Sequence, residues 1–223
     1  NPYWGTLDVG PDGELYVAGT YGSNFIVAKS TNANNPMNTV VWDMTKEVSL
    51  DGDITSGTGP NPGGLLGQTL IAVDNSNTIY RSNVYLLCSV DRSSNSDPLD
   101  VMFSRSTDGG NNWSSPTRIN DDPGVNAYQW FGTISVAPNG RVDVIWLDTR
   151  DNPGTYLSAL YYSCSRDGGF TWSVNERLSE YFDPHLGWPQ QNKIGDYFDM
   201  VSFNDGAYLA WAATFNGEQD VYF

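Results

Sequence analysis

Ser106-Thr107-Asp108-Gly109-Gly110-Asn111-Asn112-Trp113 returns later in the chain as Ser165-Arg166-Asp167-Gly168-Gly169-Phe170-Thr171-Trp172. Both stretches follow the pattern Ser-x-Asp-Gly-Gly-x-x-Trp. Ser and Asp side chains accept hydrogen bonds from backbone N–H groups in tight turns, and paired glycines permit positive φ. The Trp is large enough to hold such a turn against an apolar layer. Because each copy follows a strand-like run, at 99–104 or 157–163, the pattern predicts a hairpin turn inside a repeated β unit.

This pattern resembles the Asp-box, or BNR repeat, of the sialidase-like β-propellers. The residues that carry the resemblance are Ser106, Asp108, Gly110 and Trp113 in one copy, and Ser165, Asp167, Gly169 and Trp172 in the other. In that family the box lies at the periphery of a blade, away from the central binding funnel. The resemblance therefore implies a fold, an all-β propeller of four-stranded antiparallel blades with Asp-box turns, and assigns these residues a structural role.

A longer repeat supports the propeller fold. Gly13, Gly140 and Gly206 each sit in a polar turn between two strand-like segments. The first interval is nearly twice the second, so one unit lies between them, and four-stranded units at a fixed period are typical of propeller blades. The sequence predicts a single propeller domain over 1–223, with about four blades at 3–50, 67–120, 130–180 and 194–223. Sialidase-like propellers usually have six blades, so the resemblance implies part of a larger propeller.

Composition restricts the choice of partner. The net charge is −15, from 26 acidic and 11 basic residues. Such a surface repels phosphate backbones, so nucleic-acid binding is not expected. The chain has no run of about 18 apolar residues, so we expect no membrane insertion. It starts at Asn1 without a visible signal peptide, which we interpret as a processed piece of a secreted protein. The expected partner is an extracellular glycan or glycoprotein, or alternatively a protein at the cell surface.

Cysteine and metal chemistry are sparsely represented. Cys88 and Cys164 are either buried free thiols or a disulfide between neighbouring blades. One histidine and two separated cysteines do not make a His/Cys metal cluster, and we expect no cofactor. Calcium is an alternative, because Asp51-x-Asp53 and Asn120-Asp121-Asp122 supply hard oxygen ligands; both segments are also compatible with solvated turns.

Aromatic residues stand at the predicted starts of the inner strands, where a propeller has its funnel mouth. They are Trp4 in the first blade, and Trp130 and Phe131 in the third. Aromatic faces stack on sugars, so all three are candidate substrate-binding residues. The alternative is that they plug the axis or pack between blades.

The segment Gly195-Asp196-Tyr197 resembles the start of the last blade in secreted BNR proteins, in which a strand like 219–222 follows near the chain end. In sialidases a Tyr near this position is the nucleophile, helped by a Glu. A Tyr with a pKa of about 10 needs a neighbouring base. We therefore name Tyr197, Asp196 and Asp148 as candidate catalytic residues, since a glycosidase of another type needs paired carboxylates.

Arg150 and Arg92 occupy corresponding turns after the second strand of two blades. A guanidinium binds a carboxylate in bidentate geometry, so both are candidate substrate-binding residues. The alternative is an Asp–Arg pair that ties each turn to its neighbour. Sialidases carry three such arginines, one within a Phe/Tyr-Arg-Ile-Pro motif, and this sequence lacks that motif.

Two functions from different classes remain. One is a sialidase-like or other glycoside hydrolase that acts on extracellular glycans. The other is a non-catalytic propeller that binds carbohydrate or protein at the cell surface. The missing arginine motif favours the second function, and the family resemblance favours the first.

Overall fold

The computed structural model describes residues 2–95, 97–124, 126–188 and 190–223. These residues form antiparallel sheets and no helix, so no described helix is long and apolar enough to cross a membrane. The strands are β1 (Leu7–Val9), β2 (Leu15–Tyr21), β3 (Asn24–Ser30), β4 (Met44–Val48), β5 (Gly52–Asp53), β6 (Leu70–Val73), β7 (Val84–Arg92), β8 (Asp100–Ser106), β9 (Thr117–Arg118), β10 (Gln129–Val136), β11 (Val142–Asp148), β12 (Ala159–Ser165), β13 (Glu176–Arg177), β14 (Asp199–Ser202), β15 (Ala207–Ala213) and β16 (Asp220–Tyr222).

The strands form four meander sheets that follow one another along the chain. Sheet 1 has the order β1-β2-β3-β4, sheet 3 has β10-β11-β12-β13, and sheet 4 has β14-β15-β16. In sheet 2, β6 pairs with the first half of β7, β5 pairs with its end, and β8 and β9 follow. This arrangement confirms the all-β fold of propeller blades, and sheet 4 has no fourth strand among the described residues.

Apolar side chains fill each space between consecutive sheets. Tyr16 and Phe25 of sheet 1 pack with Leu86 of sheet 2. Between sheets 2 and 3, a cluster forms around Phe103 and Trp146. A third cluster lies between sheets 3 and 4. The core is therefore three layers between blades, and each layer requires both of its sheets.

Polar side chains join the innermost strands to one another. These strands are sheet edges, and their free N–H groups need acceptors. Asp8 Oδ2 of β1 accepts a hydrogen bond from the N–H of Val73 in β6, at 2.7 Å. Ser135 Oγ of β10 accepts one from the N–H of Ser202 in β14, at 3.0 Å. The inner edges are thereby satisfied by the neighbouring blade, and the four strands surround a common cleft.

The two Asp-Gly-Gly turns, at 106–113 and 165–172, share one hydrogen-bond pattern. In the first, Ser106 Oγ accepts a bond from the Gly110 N–H at 2.8 Å, and Asp108 Oδ1 accepts one from the Asn112 N–H at 2.9 Å. In the second, Ser165 and Asp167 accept the corresponding bonds at 2.8 Å and 2.9 Å. The Ser and Asp side chains thus hold the turn from inside.

Each Asp-Gly-Gly turn also lies against the preceding sheet. A Cβ on Gly110 would lie 2.8 Å from the Met44 side chain of sheet 1, and one on Gly169 would lie 2.6 Å from Phe103 of sheet 2. Both glycines have positive φ, at 93° and 82°. The glycines therefore serve the turn conformation and the close approach between blades.

Three further details complete the fold. The outer strand of sheet 1 spans Met44–Val48, while the outer strands β9 and β13 contain two residues each. The loop between β14 and β15, at 203–206, is one residue shorter than the corresponding loop between β10 and β11, at 137–141. Cys88 and Cys164 are both free thiols, so the disulfide alternative is not formed.

The two outer faces of the arc, called here the end faces, are apolar and exposed. Register makes Leu7 of sheet 1 equivalent to Ile134 of sheet 3, yet Leu7 is 62% exposed and Ile134 is 9% exposed. Likewise Val221 of sheet 4 is equivalent to Leu160, and the two are 71% and 1% exposed. The end faces therefore have the composition of inter-blade surfaces without the covering blade.

We expect the end faces to make the isolated chain self-associate, since exposed apolar surface of this kind drives association. Replacing Leu7 and Val221 together by Asp should lower the weight-average mass measured by sedimentation at high protein concentration. The matched control is Ile79→Asp, because Ile79 is exposed but lies away from both faces. A wild-type chain that stays monomeric at every concentration would contradict this prediction.

Replacing Asp108 by Ala should lower the free energy of unfolding at pH 7 by about 1–2 kcal/mol, because two N–H groups lose their acceptor. Hydrogen bonds from the backbone and side chain of Asn112 lower the pKa of Asp108 to about 2. A depressed folded-state pKa stabilises the fold above the unfolded value of about 4, and this contribution is lost as pH falls towards 2. The difference from the wild type in denaturant titrations should therefore shrink between pH 4 and pH 2, with Glu180→Ala as the exposed control.

Candidate functional site

The four innermost strands border one axial cleft of about 620 Å³. β1, β6, β10 and β14 each contribute side chains to it, as expected for the centre of a propeller. The polar side chains among them include Asp8, Gln68, Ser135, Asp199 and Ser202. The cleft is the one described space that all four blades share, so it is the candidate functional site.

A loop at 54–66, called here the strap, crosses the entrance to β10 and β14. Asn61 is fully buried in it; its Nδ2 donates to the Gly195 carbonyl at 2.9 Å, and its Oδ1 accepts from the Ile194 N–H at 3.0 Å. At the end of the strap, the Leu66 carbonyl accepts from the Phe131 N–H at 2.8 Å. The strap therefore ties the start of sheet 4 to sheets 2 and 3 and borders the mouth of the cleft.

Asp196 anchors the strap. Its Oδ1 accepts a hydrogen bond from the Leu65 N–H at 2.9 Å, and its Oδ2 forms an ion pair with Lys193. A carboxylate held in this way is not positioned as the free base that Tyr197 would need. Asp196 thus positions the loop, and it borders a small pocket together with Tyr197; its catalytic role stays a prediction.

Tyr197 lines the mouth of the cleft and is 75% exposed. Gln68 stands in the same wall, and its amide offers both donors and an acceptor. The structure therefore brings Tyr197 together with Gln68 and leaves its ring accessible. A catalytic role of Tyr197 stays a prediction.

The aromatic residues expected to stack on sugars take different positions. Trp130 is fully buried and donates its indole N–H to Ser158 Oγ at 3.1 Å. Phe131 is buried against Phe198, with ring centroids 4.9 Å apart. The expected stacking role of Trp130 is corrected because its ring has no solvent contact. Phe131 is 4% exposed and borders a small pocket with Tyr197, so its role in binding stays a prediction. Trp4 remains exposed beside Tyr3 and outside the lining of the cleft.

Arg150 and Asp148 form part of a buried ion-pair network between sheets 2 and 3. Arg150 Nε donates to Asp148 Oδ2 at 2.8 Å, and Arg150 Nη1 donates to Asp121 Oδ1 at 2.6 Å. Burial raises the pKa of Asp148, and the positive charge of Arg150 opposes that rise. Neither residue lines the cleft, so Asp148 is not placed for catalysis and Arg150 is not free to bind a substrate carboxylate. The pair ties its turn to the neighbouring blade.

Arg92 is engaged in the same way. Its Nε donates to Asp51 Oδ2 at 2.9 Å, and its Nη1 donates to Asp100 Oδ2 at 3.1 Å. It therefore joins the end of β7 to its neighbours and does not point to a substrate.

Three of the carboxylates proposed as calcium ligands, Asp51, Asp121 and Asp122, form these same ion pairs. Asp51 accepts from Arg92, and Asp121 accepts from Arg150 and from the Asn175 N–H. Within the ranges that the structure describes, no three His, Cys, Asp or Glu side chains are grouped so as to hold a metal ion. The donor set at either segment is thus better described as ion pairing than as calcium coordination.

Asp97 is a buried carboxylate with one oxygen that lacks a hydrogen-bond partner among the described residues. It is almost fully buried, its Oδ1 accepts from the Ala127 N–H at 3.1 Å, and its Oδ2 has no hydrogen-bond partner among the described residues. Burial, together with the nearby carboxylates of Asp100 and Asp122, raises its pKa to about 6, and the hydrogen bond from the Ala127 N–H opposes that rise. Ionisation of this carboxyl therefore lowers the free energy of unfolding.

Sequence reasoning missed the residues that position the cleft. Asn61 lies in a Gly- and Pro-rich segment in which no pattern marks it as buried. Asp8 and Ser135 lie in strands, and their pairing with another blade depends on the contact between sheets.

No family model and no curated protein matches this chain. Solved structures do match. The chain is similar to the GH93 α-L-arabinofuranosidase of Fusarium graminearum in complex with arabinobiose, at 15% identity and a TM-score of 0.55, over 94% of this chain and 58% of the other. It is also similar to an α-L-arabinanase of Penicillium chrysogenum complexed with arabinobiose, at 16% identity and a TM-score of 0.51, over 97% of this chain and 60% of the other.

A Hadza microbial sialidase is similar at 14% identity and a TM-score of 0.50, over 96% of this chain and 44% of the other. At these identities the likeness establishes the fold, which is that of glycosidase β-propellers. The chain spans 58% and 60% of the two arabinan-degrading enzymes and 44% of the sialidase.

Replacing Asp97 by Asn should remove a pH-dependent loss of stability. A carboxyl whose folded-state pKa is raised binds its proton more tightly in the folded chain, so stability falls as pH rises from about 4 through about 6. The melting temperature of the variant relative to the wild type should therefore increase between pH 4 and pH 7. Asn keeps an acceptor for the Ala127 N–H. A constant difference across that range would show that Asp97 does not titrate there.

Proposed function

We propose that the axial cleft binds an extracellular glycan and that the chain forms the glycan-binding part of a glycosidase-like propeller. The observation that carries the proposal is the exposed Tyr197 ring at the mouth of a cleft shared by all four inner strands. An exposed aromatic ring beside amide and hydroxyl groups suits a sugar, which has apolar C–H faces and hydroxyl edges.

The lining of the cleft provides these polar groups at two depths. Gln68 lies near Tyr197 at the mouth. Ser202 lies at the far end of β14, where its hydroxyl is buried and has no hydrogen-bond partner among the described residues. A buried hydroxyl without a partner favours a bound polar group or water. Two of the similar enzymes named above, the arabinofuranosidase and the arabinanase, were solved with arabinobiose, which supports a carbohydrate ligand.

Hydrolysis is the second candidate function, and the accessibility of Tyr197 favours it. Cleavage would require a base near Tyr197, and Asp196 and Asp148 are both held in ion pairs. Binding is therefore the function that the described residues support best. A propeller that binds a cell-surface protein is the alternative, and the end faces are apolar enough for such contacts.

A glycan panel tests the proposal, with retention and product masses followed together. We expect retention of at least one oligosaccharide, and Tyr197→Ala should weaken it by about tenfold, because stacking on an aromatic ring contributes roughly 1 kcal/mol or more. Tyr197→Phe keeps the ring, so it should preserve most of the binding.

The two variants also separate binding from catalysis. If a product appears and Tyr197→Phe abolishes it while retention persists, Tyr197 is a nucleophile. Tyr208→Ala is the matched control, because Tyr208 is equally exposed but lies outside the cleft. Absence of retention across the panel would exclude glycan binding by this chain.

A further inference from the structure

The charged side chains that line the cleft are all acidic. Asp8 and Asp199 border it on β1 and β14, and the other described lining residues are uncharged. Asp199 is exposed, and its Oδ1 accepts a hydrogen bond from its neighbour Met200. A ligand in the cleft therefore meets negative charge from two of the four blades.

Three basic side chains lie near the ends of the cleft, and each has partners in the fold. Lys193, near the mouth, forms an ion pair with Asp196. Arg141 pairs with Asp143 at 2.7 Å, and Arg81 donates to the carbonyls of the lining residues Asn75 and Ser76 at 3.4 Å and pairs with Asp12 at 3.9 Å. Among the described residues, none of these cations forms an ion pair with Asp8 or Asp199.

The arginines expected to bind a carboxylate lie outside the cleft. Arg92 and Arg150 are mostly buried and each contacts at least two Asp side chains. Releasing either guanidinium to a ligand would leave buried carboxylates unpaired, which is strongly unfavourable. The guanidinium groups that would bind the carboxylate of an acidic sugar are thus held in structural ion pairs in these blades.

We infer that the cleft selects uncharged sugars and disfavours sugars that carry a carboxylate, such as sialic and uronic acids. This inference rests on the proposed function and specifies the class of its ligand. Two like unit charges about 4 Å apart in water reduce binding about fivefold, and salt screens the effect. The net charge of −15 adds to the repulsion at longer range.

The test compares sugars matched in ring and linkage. α-1,4-Galactobiose carries a hydroxymethyl group at C6 of each ring, and α-1,4-digalacturonic acid carries a carboxylate there. Arabinobiose and 3′-sialyllactose extend the neutral and acidic sets. Dissociation constants are measured at low and high salt. We expect each acidic sugar to bind about fivefold more weakly than the neutral sugars at low salt, with the difference reduced at high salt.

Asp199→Asn removes one negative charge from the cleft and should lower severalfold the ratio of the dissociation constants of acidic to neutral sugars. Asp205→Asn removes the same charge outside the cleft and should change neither set. Equal or tighter binding of the acidic sugars, or equal responses to the two variants, overturns the inference and leaves glycan binding in place. Failure to bind any sugar overturns the proposed function and the inference with it.

Discussion

A sheet with apolar side chains on both faces is stable only when a neighbour covers each face, and this constraint organises the whole molecule. Removing these apolar faces from water is the dominant favourable contribution to the free energy of folding. The three inner layers, around Phe25, Phe103 and Trp130, are filled by side chains from two consecutive sheets. The exposed Leu7 and Val221 show the same requirement where no further sheet is present. Each blade therefore depends on the next, and the chain folds as an arc and not as four separate units.

Blade packing also fixes the cleft. Sheets packed side by side bring their first strands together, and those edges must satisfy their N–H groups without a pairing strand. Asp8 and Ser135 do this across blades, and Asn61 does it for the loops at the mouth. The groups left accessible after these bonds, chiefly Tyr197 and Gln68, are those that a ligand can meet. The candidate site thus consists of the groups that the structural hydrogen bonds between blades leave accessible.

The positions of the basic residues also follow from the contacts between blades. The chain has few basic residues among many acidic ones, and the burial of Asp100 and Asp148 requires a guanidinium close to each. Arg92 and Arg150 meet that requirement between blades and so are removed from ligand binding. The charged side chains that line the cleft are acidic, and the preference among sugars that we infer depends on this use of the arginines.

Local sequence patterns are sufficient to predict the β fold, the repeated turns and the number of sheets. Those features depend on local chemistry: paired glycines that accept positive φ, Ser and Asp side chains that accept N–H groups within the turn, and alternating strands. The contacts of Asp196, Arg150 and Trp130, which the sequence suggests as site residues, depend on the tertiary structure. Each of them finds its partner in a segment distant along the chain, and a side chain remains free for a ligand only if no such partner reaches it.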